Sequence, residues 1–168
     1  MAHPLVDQLR FTRSEFVRAL KGVKDEDARR RFMPMNCISW MIGHLAWQEQ
    51  RYWLTRASGK ILVPEINKLA ANGAPASTPP LDEMWKAWRA ITEAGDPFLD
   101  SLTTEMLTTY MTGTGEPDGE SIGTRLRRTT YHYWYHTGES QAIRQMLGHK
   151  RLPQFVGDID GDAVYRPE

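Results

Sequence analysis

Apolar residues recur at steps of three and four in four separate stretches of this chain, and nowhere do they alternate long enough to make a strand. The pattern predicts an all-α fold, a four-helix bundle. The first stretch begins at Pro4, a residue suited to the first helical position, carries Leu5, Leu9, Phe16 and Leu20 along one side, and ends at Gly22. The second, roughly Cys37 to Ala57, follows Pro34 with Asn36 as its candidate cap, and Trp40, Met41, Ile42, Leu45, Trp47, Tyr52, Trp53 and Leu54 make it apolar on nearly every face. Such a helix needs neighbours on more than one side, whether the other three helices or a second subunit.

The third stretch has Ser77 or Thr78 as its cap with Pro79 near the first position, and keeps its rhythm from Leu81 to Leu102, with a kink or restart expected at Asp96-Pro97. Glu116-Pro-Asp-Gly119 is turn chemistry. Ser121 then opens a fourth helix that runs to about Leu147 and stops at Gly148. Residues 58–80 hold four prolines and read as a long connection crossing one end of the bundle, the kind that often shapes a site. The tail from Lys150 to Glu168 is irregular. At 168 residues the chain suits one domain, 1–168, and the two long connections leave up-down and crossover orders both open.

Charge narrows the range of partners. Lys and Arg number 21 and Asp and Glu also 21, so no broad field draws the chain to nucleic acid or to an anionic membrane. Arg29-Arg30-Arg31 has acidic neighbours, and Arg125, Arg127 and Arg128 read as a solvated helix start. No run is long and apolar enough for a membrane helix. Cys37 is the only cysteine, which excludes an intrachain disulfide and fits a reducing compartment; the expected location is cytoplasmic. Its thiol precedes a helix but reads as buried and inert.

His132 and His136 stand four apart on the fourth helix, so their rings lie about one turn apart and can share one ion. The inward stripe Ile122, Leu126, Thr129, Tyr133, His136, Ile143, Leu147 places His136 on the core side and His132 at its edge. Five histidines scattered at random give roughly 0.1 such pairs, so a third ligand is needed to make the case. His44, beside Gly43 in the apolar second helix, is the natural candidate, since a buried imidazole needs a polar partner. Spacing alone equally allows His44 bonded to a buried hydroxyl and a half-exposed His132–His136 pair with no metal. His3 and His149 read as solvated end residues.

The segment Ile38-Ser-Trp-Met-Ile-Gly-His-Leu-Ala-Trp-Gln-Glu49, followed by Tyr131-His-Tyr-Trp-Tyr-His-Thr-Gly-Glu-Ser-Gln-Ala-Ile-Arg-Gln-Met-Leu-Gly148, resembles the DinB-like metalloprotein superfamily, which includes YfiT-like and mycothiol-dependent maleylpyruvate isomerase-like proteins. The resemblance implies a four-helix bundle, frequently a homodimer, that holds a divalent metal on one histidine of the second helix and an H-x-x-x-H pair of the fourth. In this sequence those are His44, His132 and His136.

Three imidazoles leave zinc, nickel or iron with a position for water or substrate. The resemblance further implies a low-molecular-weight thiol such as mycothiol or bacillithiol, joined to an electrophile by an S-transferase or used in an isomerisation. A metal-water hydrolase and a non-catalytic metal-stabilised binding protein are the alternatives. Glu139, three residues past His136, is the candidate catalytic group, able to orient a ligand imidazole or accept a proton; a helix-face carboxylate paired with Arg144 or solvent is the plainer reading. Glu49, Gln48, Tyr52 and Tyr133 are candidates to stand behind the ligands, with Glu49 the other carboxylate a hydrolase could use as base. Asp158, Asp160 and Asp162 lack the glycine and glutamate positions of a calcium loop.

Overall fold

The computed structural model describes residues 2–167, which are helical with no strand among them. Helix α1 spans Pro4–Ala19 and the short α2 Asp25–Arg29; α3, Ile38–Glu49, continues directly into a π-helical segment, Gln50–Arg56. A single turn, α4 (Ile66–Leu69), interrupts the long connection, followed by α5 (Leu81–Asp100), α6 (Thr104–Leu107), α7 (Ile122–Met146) and α8 (Ile159–Asp162). The four long helices pack mainly in two pairs, α3 with α5 and α1 with α7, and α3 also meets α7.

The helix ends show how local chemistry fixes these bounds. Pro4 occupies the first turn of α1 as expected, but the cap is His3, whose Nδ1 accepts from Leu5 N at 3.1 Å. His3 is thus buried rather than a solvated end residue. Ser121 caps α7 by accepting from Thr124 N. At the other end Gly148 takes φ +78°, which lets its N–H reach Gln145 O and His149 N–H reach Arg144 O, closing the last turn.

Two expected starts and one expected break differ. Cys37, not Asn36, is the residue before α3, and it is fully buried. Neither Ser77 nor Thr78 caps α5; Pro80 precedes it, and the Leu81 N–H is taken by Asp25 Oδ1 of α2 at 2.8 Å. Pro97 lies inside α5 without ending it. Its ring is on an exposed face, so the carbonyl it deprives of a partner is left to water instead of being buried.

Every residue of α3 except Trp47 is buried within this one chain, which answers why the helix is apolar all round: it is central. Gly43 marks its closest approach to neighbours. A Cβ built there would lie 2.5 Å from Met84 Sδ and 3.0 Å from Ala70 Cβ. Met84 can swing away but Ala70 Cβ is fixed to the backbone. Gly43→Ala is therefore expected to cost about 1–3 kcal/mol through overpacking, seen as a lower urea midpoint at unchanged slope.

A buried polar cluster ties the two helix pairs together. Arg13 donates from Nε and a terminal nitrogen to both oxygens of Glu49 at 2.8 and 2.6 Å, and a second terminal nitrogen reaches Asp96 at 2.8 Å. Tyr133 donates to Glu49 Oε1 at 2.9 Å while accepting from Trp88 Nε1 at 2.6 Å. The tail folds back on α1: Gln8 donates to Ala163 O, Gly157 N to Glu15, and Arg166 pairs with Asp7.

Candidate metal centre

The three histidines named from the sequence converge. His44 on α3 and His132 and His136 on α7 bring one ring nitrogen each within 4.8 Å of one another. The two α7 rings meet Nε2 to Nε2 at 3.0 Å, and the His44 ring centre lies 5.0 and 5.3 Å from theirs. His44 and His136 are buried and His132 is half-buried at the edge, as the stripe on α7 predicts.

Each imidazole is held differently, and the partners settle which nitrogen is free. His44 Nδ1 lies 2.8 Å from Ala70 O, and since a carbonyl only accepts, Nδ1 carries the proton and Nε2 is left with its lone pair. Trp40 and Trp47, one turn to either side on α3, stack on this ring at 4.5 and 5.3 Å and fix its plane. His136 Nδ1 lies 2.6 Å from Glu139 Oε2, which likewise leaves its Nε2 bare. His132 Nδ1 is buried with no partner.

Ala70 belongs to the 58–80 connection, so the long loop does shape the site. Gln50, buried at the start of the π-helical segment, straps that loop by accepting from Leu62 N and Val63 N and donating to Val63 O.

Electrostatics keep the set ready for a cation. Burial, opposed by the Ala70 hydrogen bond, pushes His44 down to about 4. Burial and the neighbouring imidazoles push His132 down to about 3. Both are neutral ligands at neutral pH. In metal-free protein the unfolded chain, with histidines near 6.5, takes up protons first as the pH falls. Stability is therefore full above 6.5 and is lost as pH drops toward 4 and 3; a melting temperature lower at pH 5 than at pH 7 checks the sign.

Glu139 is not the partner of Arg144, which instead donates to Ala19 O and to His149 Nδ1. Burial raises the Glu139 carboxyl, but hydrogen bonds from His136 and Tyr135 outweigh that and hold it below its usual value. Glu139 is thus an ionised second support for a ligand ring. Glu139→Ala is expected to weaken metal affinity about 10–100-fold with the fold intact, read by competition with a chromophoric chelator. Glu49, by contrast, has both oxygens committed to Arg13 and Tyr133 and is not available as a base at the site. His149, between Arg144 and Asp27, serves the end of α7 and is not a solvated end residue.

A cavity of about 720 Å³ opens onto His44 and His132. Trp47, Gln48, Arg51 and Tyr52 line it from α3 and the π-helical segment, Thr124, Arg127, Arg128 and Tyr131 from α7, and Asn72 from the loop. The basic cluster on α7 is not simply a solvated helix start. Arg125 is 9 % exposed, donates to both oxygens of Asp118 at 2.8 and 2.6 Å, and lies over the Tyr52 ring at 4.6 Å. Gln48 and Tyr52 of this wall were named from the sequence, but Arg51 was not, because the π-helical segment shifts its register relative to α3 and no residue type announces such a segment.

The chemistry of the donor set fits a divalent cation. The His132 and His136 Nε2 atoms, 3.0 Å apart, repel as bare lone pairs unless a proton or a cation lies between them. Three imidazoles suit zinc, nickel or iron better than calcium or magnesium. Among the described residues no helix is long and apolar enough to cross a membrane. No curated protein matches the sequence. The sequence profile of the DinB superfamily matches residues 8–140, a span that includes all three histidines and Glu139. The chain belongs to the DinB superfamily.

Proposed function

We propose that this protein is a divalent-metal-dependent enzyme that transfers a low-molecular-weight thiol, such as mycothiol or bacillithiol, to an electrophile or uses one in an isomerisation. The observation that carries this reading is the cavity that reaches the triad from outside: the ligands are buried on the protein side and approachable on the other. A cation held by His44, His132 and His136 would lower the pKa of a thiol at its open position so that the thiolate is present at neutral pH.

The chain's own groups do the remaining work. His44 and His136 present Nε2 because Ala70 O and Glu139 hold Nδ1. Trp47 and Tyr52 give the incoming molecules apolar walls, and the aromatic rings around His44 exclude water from its far side. In the transfer a carbon–sulfur bond forms as the bond from that carbon to its leaving group breaks, and the thiol proton passes to solvent. Among the described residues no carboxylate lines the cavity to receive it, which also disfavours a hydrolase needing a general base beside the metal.

Protein loaded with zinc, nickel or ferrous iron is mixed with a thiol and chlorodinitrobenzene, and the conjugate is followed by absorbance. Conjugation that needs both metal and thiol and disappears in His44→Ala supports the proposal. A blank result with every metal and thiol, alongside metal-dependent stabilisation, leaves a non-catalytic binding protein instead.

A further inference from the structure

The cavity wall carries charge that nothing in the site consumes. Three of its lining residues are guanidinium-bearing, Arg51, Arg127 and Arg128, and none is a carboxylate. Glu120 neutralises Arg128. Arg127 makes no hydrogen bond or ion pair among the described residues, and Arg51 contacts only the faces of Trp47 and Tyr52, at 5.5 and 5.9 Å. Two unpaired guanidiniums on opposing elements, the π-helical segment and α7, thus flank one opening.

We propose that this cavity selects a carboxylate-bearing substrate, gripped by Arg51 and Arg127, while the rest of the molecule reaches the histidines. A guanidinium matches a carboxylate through two parallel N–H donors, and such charge-assisted pairs strengthen in a partly enclosed site. Tyr52 is braced from behind by Arg125, whose own charge is met by Asp118 and Glu120, so the two free arginines are the ones whose charge faces the opening. The proposal deepens the thiol-transfer reading and relies on it only for which reactant bears the anion.

Binding tests it without turnover. S-methylglutathione, which has carboxylates but no thiol, and its diethyl ester are titrated calorimetrically into the protein as purified. The acid is expected to bind on the order of tenfold more tightly than the ester. That preference is expected to vanish in the Arg51→Met, Arg127→Met double variant and to return in part in the double lysine variant. Equal affinity of acid and ester for the unaltered protein overturns the proposal, as does a preference that survives in the double methionine variant. Both positions are exposed, and the acid–ester comparison needs no variant at all.

Conjugation then locates the anion. Glutathione is compared with its diethyl ester, and chlorodinitrobenzoate with chlorodinitrobenzene. A preference for the acid in either pair supports the proposal and assigns the carboxylate to thiol or electrophile; conjugation with no preference in either overturns it. Preferential binding without any conjugation sinks the thiol chemistry and leaves the arginine grip standing.

Discussion

His44→Ala is expected to leave the protein without a bound divalent ion, whereas the unaltered chain retains about one per molecule through gel filtration. The reason is that the three ligands come from two helices, and only His44 makes the site more than a pair on one helix turn. An H-x-x-x-H pair alone lacks the third imidazole that closes an open catalytic-type site. The loss should be large because the Trp40 and Trp47 rings on either side of His44 offer no lone pair to replace its imidazole. Elemental analysis of both proteins measures it. A variant that keeps full metal content would show that the described convergence does not bind an ion.

Arg13→Met is expected to lower stability by about 3–5 kcal/mol, because it strands a carboxylate that is 1 % exposed. For a chain of this size that corresponds to a fall in melting temperature on the order of 10 °C, measured by circular dichroism. The Arg13 side chain is 6 % exposed and donates to Glu49 and Asp96 together, and the charge of Glu49 outweighs burial and raises its pKa further. Tyr133, raised by burial and by the same carboxylate, stays protonated and keeps donating. The double change Arg13→Met, Glu49→Met should recover much of the loss, since the cost lies in the uncompensated ion and not in missing charge as such. If Arg13→Met alone melts like the unaltered protein, the cluster contributes nothing to holding the helix pairs together.

Much of this architecture is written in local signals. Pro4, Ser121 and Gly148 mark helix ends because capping depends on a handful of adjacent atoms. The i, i+4 spacing of His132 and His136 and the inward stripe on α7 placed both rings where they are found. His44 was a candidate from its place in an apolar helix, and the resemblance singled it out, because a lone histidine has no spacing to argue from.

What escaped the sequence depends on partners distant along the chain. Asp25 reaches the start of α5 across 56 residues, and Ala70 O meets His44 across 26. Pro97 reads as a breaker until its exposed side is known. Glu139 has His136 three residues before it and Arg144 five after; the tertiary pull of Ala19 O on Arg144 decides between them. Arg51 gave no signal and Arg127 read as part of a solvated helix start, since an exposed arginine on a helix usually faces bulk water.

The unequal anchoring of the three imidazoles sets how ions come and go. Two rings are clamped at their rear nitrogen, by Ala70 and by Glu139, whereas His132 borders the cavity with its rear nitrogen untethered. Rotating that one side chain breaks the coordination ring from the solvent side, and partly exposed rotamers turn quickly without any parting of the core. The triad thus has two fixed jaws and one hinged one, and His132 is the side chain through which an ion would enter or leave.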